Sequence, residues 1–402
     1  MNYKTLAAFL GIVALVFVVY FGTATRWTYR PPWTVDYINP MASALRAGRL
    51  DIPDPAMTYD LAQYHGKWYM TWGPLAAILH VPLQLMAGGR YVPALYTSLL
   101  YGSLTVAVMW WMFERVRQDW FREAPSLWAV ACAFLYAFGS MQYYLSTVGS
   151  IWQINQVVST FFGVMGTALI FRKKRTVLHY TLSSIFYAIA SLGRPIVGLL
   201  VVIPMVVWFW ERSWRTFVAV MVPLSIVFTM HLVYNAARFD SPLETGHRYL
   251  TEAPELADKR EQFGMLSPVF VPTNTWHMLL APPKFSWAKG FNMDIDLMGN
   301  SIFWLSPMLL FALGTLPWIW SGKHKLHALI AAVWSGIVLT AMPSLLYYNT
   351  GWMQFGYRYA LDFSFLLVFL IYLRFQGRFR LWMLPIAIYT VWVNYTGIRL
   401  LQ

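Results

Sequence analysis

The chain has 402 residues, of which 58% are hydrophobic and only 12% charged, and it carries a net charge of +13. An ordinary soluble domain is about a quarter charged, so this composition excludes one and places the chain in a membrane. The positive balance does not point to nucleic acid, because Lys and Arg sit in short clusters between apolar runs rather than on one polar face.

Apolar runs of roughly 17 to 25 residues recur from end to end, each long enough to cross a hydrocarbon core about 30 Å thick as a helix. Lipid offers no partner for unpaired backbone groups, so helices are the expected spanning element. The first run, Leu6 to Tyr20, follows Lys4 and reads as an uncleaved signal anchor, since the aromatic "RWTYRPPW" follows it and a small-residue cleavage site does not. The predicted spans are 5–24, 92–113, 125–146, 156–171, 177–193, 196–210, 217–236, 302–320, 326–347, 359–373 and 381–399. This is an all-α integral membrane fold with about eleven transmembrane helices.

The run 74–88, "PLAAILHVPLQLMAG", is short and holds two prolines, His80 and Gln84. If it crossed, the basic clusters "ERVRQDWFR", "RKKR", "ERSWR" and "RFQGRFR" would lie on the side opposite Lys4. If it instead lies in the interface as a juxtamembrane helix, those clusters and "SGKHK" share the cytoplasmic side with the N-terminus, as the distribution of positive charge favours. Segments 25–91, 147–155, the "GRP" turn at 193–195, 237–301 and 348–358 then face outward. Within them, Ile38 to Leu45 reads as a short amphipathic helix, "YHGKWY" as a turn between two aromatic strips, and Pro254 to Phe263 as a helix.

The outer segments carry the residues capable of chemistry. Asp36 lies about a dozen residues past the first span, near the membrane surface, where a carboxylate can take a proton from an acceptor hydroxyl; solvation or helix capping is its structural alternative. Asp60 and Glu244 are further acidic candidates, while Asp51 and Asp54 flank prolines as turn formers and "DID" at 294–296 reads as an exposed turn. On the basic side, Arg194 sits in "GRP", Arg358 in "FGYRY", and His247 with Arg248 in "ETGHRY". Arginine's planar fork suits a phosphate, and neighbouring rings suit a sugar or a prenyl chain. Snorkelling to headgroups is the alternative for any one arginine, but cations in three separate outer segments favour an anion site. Arg358 and Asp362 fall on one face if helical, so Asp362 is expected to orient Arg358. Tyr64, Trp352 and Tyr357 are candidate substrate contacts alongside Asp60 and Glu244. Cys132 is the single cysteine and lies within an apolar run, so it offers no intrachain disulfide, and His80 and His231 read as packing histidines.

The segments "YDLAQYHGKWYMTWGPLAAILHVPL", "LGRPIVGLL", "YNAARFDSPLETGHRY", "NSIFWLSPMLLFAL" and "GWMQFGYRYALDFSFLLVFLI" occur in an order that resembles polytopic bacterial glycosyltransferases of the GT-C fold class. These are similar in plan to protein O-mannosyltransferases and lipid A aminoarabinose transferases. The resemblance covers about Asp36 to Leu370. It implies a helical enzyme of the bacterial inner membrane whose first outer loop forms juxtamembrane helices and carries a catalytic acid, which maps onto Asp36. It also implies transfer of a sugar from a polyprenyl-phosphate donor to a lipid- or glycan-linked hydroxyl acceptor on the periplasmic face. Many relatives show a close acidic pair in this loop, whereas Asp36 is flanked by Val35 and Tyr37.

The expected reaction is an inverting displacement with Asp36 as base, the leaving phosphate being held by Arg358 and Arg194 with Arg248 and His247 in support. No cofactor is expected; a divalent metal is left open. A diphosphate-linked oligosaccharide ligase and a lipid-linked sugar transporter or flippase are the competing readings, the latter requiring ionisable groups along a central path.

Overall fold

A computed structural model of the protein describes residues 2–32, 34–286, 292–321, 326–351, 353–378 and 380–401. Its helices, in chain order, are α1 (Tyr3–Ala24), α2 (Ile38–Arg46), α3 (Leu75–Met86), α4 (Leu95–Trp120), α5 (Ser126–Phe138), α6 (Met141–Val148), α7 (Ile151–Ile170), α8 (Val177–Gly193), α9 (Pro195–Gly198), α10 (Val202–Glu211), α11 (Trp214–Phe239), α12 (Pro254–Phe263), α13 (Val271–Thr275), α14 (Ile302–Leu305), α15 (Leu316–Ser321), α16 (His327–Leu346), α17 (Leu361–Arg374) and α18 (Met383–Leu401). Two small hairpins, β1 (Leu61–Tyr64) with β2 (Lys67–Met70) and β3 (Lys284–Ser286) with β4 (Asn292–Asp294), are both antiparallel.

The fold is all-α, and among the described residues α1, α11 and α16 are long and apolar enough to cross a membrane by themselves. Several predicted spans are broken rather than continuous. The run 125–146 divides at Gly139–Ser140, where the Ser140 hydroxyl accepts the Gln142 amide and restarts the chain as α6. The run 302–320 opens with α14, breaks before Pro307, and continues as a 3-10 segment, Pro307–Thr315, before α15.

α17 is the centre of the bundle, with every residue from Leu361 to Leu373 buried. It is sheathed by α5, α7 and α16, and further out α8 packs on both α7 and α11. Large apolar side chains such as Leu10 and Leu15 of α1 and Val222, Ile226 and Phe228 of α11 face outward, as suits hydrocarbon. Small residues make room for large ones within this bundle: a Cβ on Gly397 of α18 would collide with the Phe355 ring.

The basic connections gather at one end, where Arg175 pairs with Glu211 (2.7 Å), Arg117 with Glu114 (2.7 Å), and the Lys173 amide donates to Asp119 (2.9 Å). The first loop, α12 and the ends of α8, α11 and α16 gather at the other.

The run 74–88 forms one short helix, α3. α3 has 12 residues, packs on α2, α7 and α8, and returns the chain to the face from which α4 departs. Its polar residues have a structural purpose there. His80 contacts Thr97 (2.7 Å) and the Val92 carbonyl (3.1 Å), and the Gln84 amide donates to the Asn39 carbonyl (3.0 Å), so a buried polar network ties α2, α3 and the start of α4 together.

Candidate active site

The end of the bundle opposite the basic connections encloses a cavity of about 1070 Å3, into which the first loop, α7, α8, α11, the 245–252 segment and the 343–359 segment all contribute. Asp60 reaches it through the β1–β2 hairpin. His65 and Gly66 take positive φ (48° and 73°), as a tight two-residue hairpin turn of this hand requires. The base of the hairpin then pairs with the loop after α11: the Thr251 amide donates to the Leu61 carbonyl (2.9 Å) and the Asp60 amide to the Thr251 carbonyl (2.6 Å). Asp60 itself has φ 61°, and its carboxylate accepts the Trp152 indole N–H at 2.8 Å. Burial pushes the Asp60 carboxyl up to about 6; the Trp152 N–H and the Arg358 charge oppose the rise and nearby Glu252 adds to it.

The cationic side is built from α8 and the turn into α17. Arg194 lies between α8 and Pro195 of α9, and its Nε donates to Asp362 at 2.6 Å. Its guanidinium lies 5.0 Å from the Tyr359 ring centroid, and that of Arg358 lies 5.2 Å from the same ring. Two guanidinium groups from distant parts of the sequence thus converge on one tyrosine.

Their electrostatic states differ. Arg194 is neutralised by a fully buried carboxylate, which also accepts the Gln156 amide at 3.0 Å. Among the described residues Arg358 forms no ion pair with a carboxylate, its Nε has no hydrogen bond, and its one side-chain hydrogen bond is with the Tyr359 hydroxyl at 3.5 Å. A largely buried cation without a directly paired carboxylate is costly, and an anion entering the cavity relieves that cost.

Several expected residues lie elsewhere. Asp36 does not line the cavity: its Oδ1 accepts the first amides of α2, from Ile38 (2.8 Å) and Asn39 (3.1 Å), and its Oδ2 takes the Asn39 side-chain amide (2.5 Å). The Tyr91 hydroxyl also bonds to it, and burial together with the Asp36 charge raises Tyr91 to about 12. The carboxylate therefore holds the start of α2. We expect Asp36→Ala to cost about 1 kcal/mol, read as a lower melting temperature, and Asp36→Asn to cost little because asparagine accepts the same amides.

Asp362 orients Arg194 and not Arg358, correcting the expected pairing. Arg358–Ala360 is a 3-10 turn ahead of α17, so residues 358 and 362 do not follow α-helical spacing. Tyr357 is wholly buried, with its hydroxyl donating to the Ser344 carbonyl (2.9 Å), so it is a packing residue rather than a cavity contact; Tyr359 faces the arginines. Tyr64 lies outside the cavity wall on the hairpin, bonded to Asp240 (3.2 Å). Glu244 caps a local turn at the Gly246 amide (2.7 Å), and Arg248 is exposed; neither lines the cavity. His247 does line it, and burial lowers its pKa, keeping the ring neutral near pH 7. Trp352 lies outside the described residues.

Sequence reasoning passed over Glu252. It lines the cavity, is almost fully buried, and is clamped between Arg260 of α12 (2.7 Å) and the Tyr348 hydroxyl (2.6 Å). It fastens the long segment after α11 to the α16–α17 connection. Glu252→Ala strands Arg260 and is expected to cost about 3 kcal/mol, checked by thermal unfolding. The near-complete carboxylate pairing explains its invisibility, since "YLTEAPEL" looks like a lead into α12 and nothing in it signals a partner in Tyr348. Among the described residues, no group of three or more His, Cys, Asp or Glu side chains is placed to hold a metal ion.

No protein-family model and no curated protein sequence matches the chain. Solved structures do. The oligosaccharyltransferase of Archaeoglobus fulgidus in its apo form superposes over 98% of this chain and 56% of its own, at 13% identity and a TM-score of 0.55. This is a GT-C fold. The oligosaccharyltransferase AglB of the same organism, in complex with an inhibitory peptide and a dolichol-phosphate, covers 99% of this chain and 56% of its own, with 12% identity and a TM-score of 0.55. ArnT from Cupriavidus metallidurans bound to undecaprenyl phosphate covers 93% and 60%, with 12% identity and a TM-score of 0.48. The chain therefore spans little more than half the length of these structures.

Proposed function

We propose that this membrane protein is a glycosyltransferase that moves a sugar from a polyprenyl-phosphate donor to a hydroxyl acceptor inside this cavity. The observation that carries the reading is the meeting of a guanidinium that forms no ion pair among the described residues, Arg358, with a carboxylate of raised pKa, Asp60, on the walls of one cavity. Anion binding and proton abstraction are the two things such a transfer needs from a protein. The shared fold with AglB, whose complex holds a dolichol-phosphate, supports the choice of donor class.

In this mechanism Asp60 takes the proton of the acceptor hydroxyl as its oxygen attacks the anomeric carbon. The bond from that carbon to the phosphate oxygen breaks on the opposite face, with inversion, and its electron pair leaves on the phosphate, held by Arg358 with Arg194 beside it. Lipid phosphate is already a good leaving group, so base and clamp account for the reaction without a metal step. Tyr359 fixes the relative position of the two guanidinium groups, and Asp362 with Gln156 fixes Arg194.

The basic clusters at the opposite end of the bundle support a cytoplasmic placement for that end, hence a cavity facing the periplasm of a bacterial inner membrane. The test is to supply the purified protein with radiolabelled polyprenyl-phosphate sugars and crude acceptor membranes. Label moving from the donor lipid into acceptor supports the reading; donor left intact with every sugar tried opposes it.

A further inference from the structure

One wall of the cavity carries a cation for which the proposed reaction has no use. His231, Tyr234, Asn235 and Arg238 recur at helical spacing along one face of α11, and all line the cavity. Arg238 is only 5% exposed. Its Nη1 donates to the Met70 carbonyl at 2.8 Å and its Nη2 to Asn235 Oδ1 at 2.9 Å, while its Nε has no hydrogen-bond partner among the described residues. The Tyr234 and Phe239 rings lie 3.9 and 4.7 Å from the guanidinium carbon, and the buried Tyr234 hydroxyl also has no hydrogen-bond partner among the described residues.

No carboxylate pairs with this arginine among the described residues. Asp240, two positions on, is turned to the Tyr64 hydroxyl (3.2 Å) and to His65 (3.7 Å) instead. His231 contacts the Ser191 hydroxyl at 3.3 Å, and His247 faces the same cavity from the following loop. Fastening the β2 carbonyl of Met70 needs one neutral donor, not a buried guanidinium, whose uncompensated charge disfavours burial. Nor does this group share its ring partners with the first site: Arg194 and Arg358 flank Tyr359, whereas Arg238 flanks Tyr234 and Phe239.

We infer that the α11 stripe is a second anion subsite, centred on Arg238, which holds a phosphate group other than the one at Arg358. The inference rests on the donor reading above only for what fills the first site. The second phosphate comes either from a diphosphate-linked donor or from a phosphorylated acceptor, and both present the same tetrahedral anion to the same donors.

The experiment uses the full chain in lipid nanodiscs, undecaprenyl phosphate as the lipid probe and radiolabelled inorganic phosphate as the second. Wild type saturated with undecaprenyl phosphate is expected to bind one further phosphate per chain. Arg238→Gln should weaken that phosphate at least tenfold and leave lipid affinity within twofold, and Arg358→Gln should do the reverse. His231→Gln, which leaves the Met70 contact intact, should weaken phosphate about threefold and serves if Arg238→Gln does not fold.

Loaded wild type that takes up no phosphate overturns the inference, as does an Arg238→Gln variant that loses lipid as severely as Arg358→Gln. Wild type that binds phosphate through Arg238 but no undecaprenyl phosphate sinks the donor reading and leaves the subsite standing. Loading with undecaprenyl diphosphate then separates the sources: displaced phosphate assigns the subsite to the donor, and retained phosphate assigns it to the acceptor.

Discussion

Asp60→Asn is expected to slow sugar transfer about a thousandfold, within the range that a positioned general base contributes. Asparagine keeps an oxygen for the Trp152 indole and leaves the hairpin pairing of residues 60 and 61 with Thr251 untouched, so the protein should stay folded with its donor affinity near wild type. The loss should fall on kcat rather than on KM, because the carboxylate acts on the acceptor proton in the transition state.

The same group sets a pH dependence whose sign follows from its environment. Burial raises the Asp60 pKa to about 6, and only the ionised form accepts a proton. Wild-type kcat/KM should therefore be flat above about pH 6 and fall about tenfold per unit below it, where an ordinary aspartate would hold its activity to about pH 4. Asp60→Asn should lack this limb.

The second large effect belongs to Arg358. Arg358→Gln removes the cation that meets the leaving phosphate, and kcat/KM should drop by a factor of about 100 to 1000, equivalent to about 2.7 to 4 kcal/mol. Lysine should recover only part of this, since it supplies charge without the planar fork. Stability offers a control that separates function from structure. Arg358 forms no ion pair with a carboxylate among the described residues, so Arg358→Gln should leave the melting temperature unchanged or raise it. Arg194→Gln strands the fully buried Asp362 and should cost about 3 to 5 kcal/mol in thermal unfolding. Equal destabilisation by both changes would mean that Arg358 has a structural partner after all.

Local pattern carried the sequence reading a long way. Helix α12 begins and ends at Pro254 and Phe263 as its composition predicts, α2 runs one residue past the expected Leu45, and 74–88 holds a helix of only 12 residues. Each of these follows from residues close together in the chain. The placement of Arg194 and Arg358 on one cavity was legible for a related reason: both stand at helix junctions at the same end of the bundle.

What failed was anything that depends on which way a side chain turns. Asp36 and Asp60 look alike as loop aspartates, yet one is spent on the amides of α2 and the other is turned inward by a hairpin that pairs with Thr251, nearly two hundred residues away. Tyr357 and Tyr359 exchange roles because the chain enters α17 through a 3-10 turn, which a period of 3.6 does not anticipate. Glu252 and Arg238 owe their positions to partners in Tyr348, Arg260 and Met70, contacts that only the folded chain brings together.

The central claim is that a sugar is transferred in this cavity with Asp60 as the base, and one assay tests it most directly. Wild type, Asp60→Asn and Asp36→Asn, each purified in a folded state, are given the same radiolabelled polyprenyl-phosphate sugar and acceptor membranes, and initial rates are compared. The account predicts transfer by wild type, transfer within about threefold of it by Asp36→Asn, and a loss of about a thousandfold in Asp60→Asn. Transfer by Asp60→Asn at the wild-type rate, above all with Asp36→Asn inactive, would contradict it.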